Sequence, residues 1–381
     1  MKLQNVFLNA YENRDLLGEV ARSANPRVLL RLAPHAYHGY LQKRGKEGAS
    51  CDFSAGGRVH FQWEYGRSVP ELARLYETAK QSQWNASTDL DWSLDVDPQN
   101  PERALVDVGY LPLPSLPGFG ALSEREKAIQ VHHLAAWMLS QFLHGEQGAL
   151  FAACQVTAAV EWMDAKLYGS TQVVDEGRHV EVFSRYLSEK LQKSYPINDN
   201  LFVILEALLQ DSRWDVKFLG MQILIEGLAL GAFGTLRSTT REPLLKNLLR
   251  YVITDEARHV HYGVTALRDF YGTLSETARR EREDWAFEVA RMLRNRFLAH
   301  EFYEEHYAHR LTRREWNRLV LESPYMDLFR KTMFKRLIPN LKRIHLLSDR
   351  VRPRYQELGL LQWENEKAAP ELTAQDLLQE S

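Results

Sequence analysis

The chain has 381 residues, 45% hydrophobic and 26% charged, which is enough apolar material for a sizeable core. Its 48 Lys and Arg against 50 Asp and Glu leave a formal net charge of -2, which excludes the global basic field of a nucleic-acid binder. Cys51 and Cys154 stand far apart without metal-type spacing, so a disulfide framework is excluded and a reducing compartment is expected. The opening MKLQNVFLNAYENRD lacks the apolar core of a signal peptide, and no run reaches the roughly 18 uninterrupted apolar residues of a membrane span. The expectation is a soluble cytoplasmic protein with neither nucleic acid nor membrane as partner.

In chain order, residues 1–66 show weak periodicity and include the loop-like GKEGASCDFSAGG at 45–57. One helix is predicted over 69–84, with Pro70 in its first turn and apolar Leu72, Leu75, Tyr76 and Ala79. The Pro-rich stretch 85–122 must wrap over a surface as irregular chain. Ser123 and Glu126 form a capping-box pattern, and from there to about residue 310 nearly everything is helix-compatible. STTREP (238–243) and GTLSETA (272–278) mark turns, and RREREDW (279–285) reads as a solvated helix face. Residues 325–355 read as helical, basic, and broken or kinked at Pro339, before a weakly ordered tail. Three segments follow: a wrapping segment with one helix (1–122), a helical bundle (123–310), and C-terminal helices with a tail (311–381).

Within the bundle, ILIEGLALGAF (223–233) carries one acid, Glu226, and no base. An unpaired carboxylate in an apolar helix is costly, so a counter-charge must come from elsewhere. Thirty residues on stands DEARH, Asp255 to His259, and eighty residues earlier the pattern occurs again, as Glu146 followed by DEGRH, Asp175 to His179. Ala149, Leu150 and Ala152 likewise recur as Ala229, Leu230 and Ala232, so the chain contains a duplicated helical hairpin.

Glu176 with His179, and Glu256 with His259, are three apart and share a helix face. The thirty-residue interval suits two antiparallel arms of about fifteen residues, bringing Glu146 level with Glu176 and Glu226 level with Glu256. The second midpoint, residue 241, falls in STTREP; the first, Glu161, falls where no Gly or Pro marks a turn until Gly169. Four carboxylates cannot all ionise side by side in an apolar interior unless cations neutralise them, and two divalent ions match four negative charges. Oxygen with imidazole suits iron or manganese. Asp175 and Asp255 are then expected to accept from the far imidazole N–H groups, with Arg178 and Arg258 neutralising them. With the hairpins packed, Ala149, Leu150, Ala153, Phe183, Leu230 and Phe233 are candidates for an apolar substrate pocket over the metals.

At these residues the sequence resembles the ferritin-like di-iron carboxylate superfamily, in particular the branch of ribonucleotide reductase small subunits and bacterial multicomponent monooxygenase hydroxylases. The resemblance covers about residues 123–270, and DEGRH and DEARH are most similar to the hydroxylase motifs. It implies an all-α, ferritin-like four-helix bundle with additional helices and irregular N-terminal wrapping segments. It also implies two iron ions, or a manganese–iron pair, with O₂ as co-substrate and Glu146, Glu176, Glu226 and Glu256 as the catalytic carboxylates.

The implied function is an O₂-activating oxygenase or oxidase on an apolar organic substrate, by hydroxylation, desaturation or N-oxygenation; a homodimer is compatible with it. An electron donor, ferredoxin or reductase, is implied too, and the stretch 330–355, with nine Lys or Arg against one acid, is a candidate docking face. A radical-generating subunit or a ferroxidase is the alternative. Phe183 stands where reductase subunits carry a radical Tyr, and Leu230 and Ala229 stand where hydroxylases and desaturases carry Thr. Val252 stands where the similar arylamine N-oxygenases have a seventh ligand, a His, and so speaks against that subtype.

Overall fold

The computed structural model describes residues 3–324, 326 and 332–379, and no strand occurs among them. Two long hairpins form the centre: α5 (Glu124–Ala159) with α6 (Met163–Arg185), and α9 (Glu226–Thr239) with α10 (Pro243–Thr273). The Ser123 capping box starts α5, with Ser123 N–H donating to Glu126 Oε2 at 2.8 Å. At 1.5 Å per residue its 36 residues reach about 54 Å. α10 starts at Pro243, and the Glu242 carboxylate caps it by accepting from the backbone N–H groups of Leu244 (2.8 Å) and Leu245 (2.6 Å).

The first hairpin turns at 160–162, where the spacing alone put it, although no Gly or Pro lies there. Val160 and Trp162 adopt extended backbone, and Lys166 Nζ donates to the last carbonyls of α5, Thr157 O (3.3 Å) and Ala158 O (3.1 Å). Each of the four glutamates consequently lies thirteen residues from its hairpin's turn-side helix end, at Ala159, Met163, Thr239 and Pro243. All four come to one level of the bundle.

α9 continues from a short helix, α8 (Trp214–Phe218), through a π-helical segment at Leu219–Ile225 that ends beside Glu226. An extra residue per turn re-aims the side chains that follow, and such widenings concentrate at functional sites. The run Trp214–Thr239 is long and apolar enough to cross a membrane, with mean hydropathy 1.5, but 89% of that window is buried inside the protein. Its apolarity serves the core.

Elsewhere the structure departs from the sequence expectations. The segment 1–122 holds not one helix but four: α1 (Leu3–Glu12), α2 (Arg14–Ala21), α3 (Pro26–Ala36) and α4 (Pro70–Gln81). α3 is capped by Asn25, which accepts from Arg27 N at 3.1 Å, and it buries a single narrow stripe, Val28, Leu32 and Ala36, that Tyr40 continues in the π-helical turn Tyr37–Leu41. Four-residue spacing with polar residues between is a weak amphipathic signal. The charged run 279–285 lies in α11 (Glu276–Arg296) and is not a solvated face: Glu281, Arg282, Glu283 and Asp284 are buried. Arg282 pairs with Asp215 at 2.9 Å, Glu281 with Arg213 at 2.7 Å, and Glu283 and Asp284 with Arg350 at 2.7 and 2.8 Å. Mixed charge let the run bury by pairing across elements rather than by facing water.

In the C-terminal part, residues 325 and 327–331 of the predicted helix lie outside the described residues. Beyond them the break falls at 335–336, and Pro339 sits in the first turn of a new helix, Leu337–Arg343, where its missing N–H costs nothing. The tail is anchored: Ala369 N–H donates to Asn340 Oδ1 at 2.9 Å, and Leu377 is buried.

Met333 crosses α9 at Gly231. A Cβ there would stand 2.7 Å from Met333 Cα and 3.1 Å from the carbonyl oxygens of Met333 and Thr332. Gly231→Ala is therefore expected to cost about 1–3 kcal/mol by overpacking, read as a lower urea midpoint; an unchanged midpoint would contradict this packing.

Candidate metal centre

The duplicated hairpins bring Glu146 from α5, Glu176 and His179 from α6, Glu226 from α9, and Glu256 and His259 from α10 to one point in the core. None of the six is more than 5% exposed. His179 Nδ1 lies 3.2 Å from Glu146 Oε2, 3.1 Å from Glu256 Oε1 and 3.5 Å from Glu176 Oε2. His259 Nδ1 lies 3.2 Å from Glu176 Oε1 and 3.5 Å from Glu256 Oε2. Two overlapping ligand groups result, Glu146–Glu176–His179–Glu256 and Glu176–Glu226–His259, each with its donor atoms within 4.8 Å of one another. Glu176 belongs to both.

The aspartates cross over. His179 Nε2 faces Asp255 Oδ2 at 3.2 Å, and His259 Nε2 faces Asp175 Oδ2 at 3.2 Å, so each hairpin orients the other's imidazole. An Nε2–H donated to carboxylate leaves the Nδ1 lone pair for a cation. Arg178 pairs with Asp175 and reaches Asp255 at 3.6 Å, while Arg258 pairs with Asp255 and reaches Asp175 at 3.6 Å. The two arginines thus neutralise both aspartates.

Protein charges alone leave the carboxylates in poor balance. Burial, reinforced by Glu256, pushes the Glu146 carboxyl up to about 8, and burial with Glu256 and Glu176 pushes Glu226 well above its ordinary range. Burial acts the same way on Glu176, but His259 and His179 outweigh it and hold that carboxyl below the usual range. Glu176 Oε2, Glu226 Oε2, both Glu256 oxygens and His259 Nδ1 are buried without a hydrogen-bond partner. Orphaned acceptors converging in this way fit divalent cations, and six protein ligands of O and N type fit two of them.

Several supporting residues carry no motif. Gln172 Nε2 donates to Glu176 Oε1 (3.0 Å) and Glu226 Oε1 (3.1 Å), tying the two hairpins together. It lies one turn before Glu176, and that i,i+4 relation was the available signal. Just past α4, Trp84 Nε1 donates to Asp255 Oδ2 at 2.7 Å and Gln83 Nε2 to Asp175 Oδ1 at 3.2 Å. Nothing in the sequence spacing connects these two to the bundle.

Beside the ligands lies a small cavity of about 20 Å³, lined by Gln141, Phe142, Gly145, Ala149, Ile225, Ala229, Phe233 and Arg296 together with Glu146, Glu226 and Glu256. Of the six residues expected to line a pocket, Ala149 and Phe233 do so. Phe183 is one layer behind, stacked on Phe233 at 5.8 Å; Ala153 and Leu230 are buried in the packing, and Leu150, one residue round the helix from Ala149, is only half-buried. Helix rotation by a single residue moves a side chain through about 100°, which takes it off the cavity face.

A helical bundle of duplicated hairpins with this carboxylate–histidine core is a ferritin-like di-metal carboxylate protein. A family model described as P-aminobenzoate N-oxygenase AurF matches residues 69–345, most of the chain, and the protein belongs to that family. It is an oxygen-activating di-metal oxidoreductase. Membership corrects the expectation drawn from Val252. That residue is fully buried in α10 and supplies no ligand, so the chain lacks the seventh ligand without leaving the N-oxygenase family.

Among solved structures, an R2-like ligand-binding oxidase with an aerobically reconstituted metal cofactor is 18% identical, with a TM-score of 0.45 over 73% of this chain and 93% of that one. A variant of an R2-like ligand-binding oxidase with an anaerobically reconstituted Mn/Fe cofactor is 17% identical, at a TM-score of 0.44 over 73% and 93%. The sequence matches no curated protein.

Glu226→Ala removes one of only three side chains in the second ligand group. Metal analysis of the Fe(II)-loaded variant is expected to give about one ion per chain or fewer, with helical circular dichroism unchanged. Two ions per chain would contradict the geometry.

Proposed function

We propose that the protein is a monooxygenase that uses O₂ to oxidise a small organic substrate, with an amine nitrogen as the first candidate. Glu146, Glu176, His179, Glu226, Glu256 and His259 hold two metal ions, di-iron or manganese–iron. Glu176 belongs to both ligand groups, and Asp175, Asp255, Arg178 and Arg258 would orient and neutralise from behind. The observation that carries this reading is the pair of ligand groups sharing Glu176, buried beside a cavity. The bound pair supplies redox-active Lewis acids able to activate O₂. The protein's own part is to fix the ligands, exclude water and hold the substrate.

For an amine the balance is RNH₂ + O₂ + 2e⁻ + 2H⁺ → RNHOH + H₂O, so a reductant is required. A ferredoxin or reductase fits that need. The basic stretch 330–355 is not its obvious dock, because Arg350, Arg352 and Arg354 already pair with Glu283, Asp284, Glu288 and Glu364. Cys51 and Cys154 are both free, which supports residence in a reducing cytoplasm.

The alternative of a radical-generating subunit is disfavoured by Phe183, which offers no oxidisable hydroxyl in the position expected of a radical Tyr. A single-turnover test decides: chemically reduced, metal-loaded protein meets ¹⁸O₂ with and without arylamines such as 4-aminobenzoate. The expected result is a product heavier by one ¹⁸O atom, formed only with metal. Rapid Fe(III) mineralisation with no labelled product from any amine would overturn the proposal.

A further inference from the structure

Away from the di-metal centre, α5 takes part in a second group of imidazoles and carboxylate. His133 lies thirteen residues, about 20 Å of helix, before Glu146. It meets Glu305 and His306 at the end of a short helix, His300–His306, and the two histidines are 173 residues apart in the chain. His133 Nδ1 stands 3.0 Å from His306 Nε2, and Glu305 Oε1 stands 3.7 Å from the first nitrogen and 3.5 Å from the second. The side chains of His133, Glu305 and His306 are 22%, 38% and 18% exposed, so a solute reaches them without any opening of the core.

A hydrogen bond between neutral imidazoles explains part of this contact, since a proton on one nitrogen is accepted by the other. It leaves Glu305 Oε1 beyond ordinary hydrogen-bond length from both rings. One cation accounts for all three atoms. A triangle with sides of 3.0, 3.5 and 3.7 Å has a point about 2 Å from every corner, which is the length of a zinc bond to imidazole nitrogen or carboxylate oxygen. Two histidines and one glutamate, with the fourth position left to water, are a recurrent zinc ligand set. Tyr195 Oη, 3.4 Å from His306 Nε2, adds a polar neighbour. Lys193 Nζ competes for the carboxylate, at 2.7 Å from Oε1 and 2.8 Å from Oε2, and retains Oε2 when a metal takes Oε1.

A similar group, His35, His38 and Glu206, is already filled. Arg44 Nη1 lies 3.1 Å from Glu206 Oε1 and 3.4 Å from His38 Nδ1, so a guanidinium stands where a metal would. We infer that His133, Glu305 and His306 bind a zinc(II) ion, separate from the di-metal centre, which clasps the helix His300–His306 to α5. The site is independent of the chemistry at that centre. An ion bound only by the folded chain stabilises it by mass action, here by joining segments distant in sequence.

The test titrates zinc, against a chromophoric chelator, into full-length protein whose di-metal centre has been loaded with iron and oxidised. Wild type is expected to bind one more zinc per chain than His306→Gln, the variant's affinity falling more than ~100-fold, beyond what an outer-shell change costs. Because the readout is the difference between wild type and variant, zinc held at the di-metal centre cancels. His38→Gln, in the group filled by Arg44, is expected to leave the count unchanged. Equal zinc in wild type and His306→Gln would overturn the inference. So would a wild-type Kd weaker than about 100 µM, the mark of an adventitious ion only. A second measurement needs no variant to fold: modification of wild type by diethyl pyrocarbonate, mapped by peptide mass spectrometry. Zinc is expected to slow it at His133 and His306, and unchanged rates at both would overturn the site.

Discussion

Four carboxylates in one apolar layer are the constraint around which this protein is built. Burial raises the carboxyls of Glu146 and Glu226, and the neighbouring Glu256 and Glu176 add to that penalty. Six side chains arranged so that two carboxylate–imidazole groups overlap at Glu176 fit divalent cations, which would offset that penalty. The fold has to hold these groups together against their own repulsion. It does so with two hairpins of equal arm length and with Gln172 bonded to a glutamate of each.

The crossed aspartates extend the same logic. Because Asp175 serves His259 and Asp255 serves His179, neither hairpin can present its histidine correctly without the other. Arg178 and Arg258 sit astride both aspartates, and Trp84 and Gln83 bring the end of α4 onto them. Orientation of the imidazoles therefore depends on residues distant in sequence, and the wrapping segment takes part in the centre.

The sequence carried the bundle and the convergence of the six candidate ligands because both depend on local spacing. An eighty-residue repeat, ExxH on a helix face and a thirty-residue arm interval survive translation into three dimensions, even where, as at 160–162, the turn has no Gly or Pro. Long-range pairing was not legible. Trp84, Gln83 and Arg296 reach the site only through tertiary packing, and no periodicity announces them. The charged run of α11 misled for a related reason: its partners Asp215, Arg213 and Arg350 lie on other elements, so composition reads as solvation what the fold uses as a buried network. Leu150, Ala153, Phe183 and Leu230 miss the cavity that Ala149 and Phe233 line, because rotation about a helix, rather than ligand spacing, decides which side chain faces it.

Belonging to the AurF family without an imidazole at Val252 makes the six-residue set the central claim. Crystals of the metal-loaded protein, with anomalous diffraction at the iron and manganese edges, test it most directly. The account predicts two ions in the layer of Glu146 and Glu226, with Glu176 contacting both, His179 and His259 binding through Nδ1, and Asp255 and Asp175 on the opposite nitrogens. A single ion, ions held by other side chains, or histidines bound through Nε2 would contradict it.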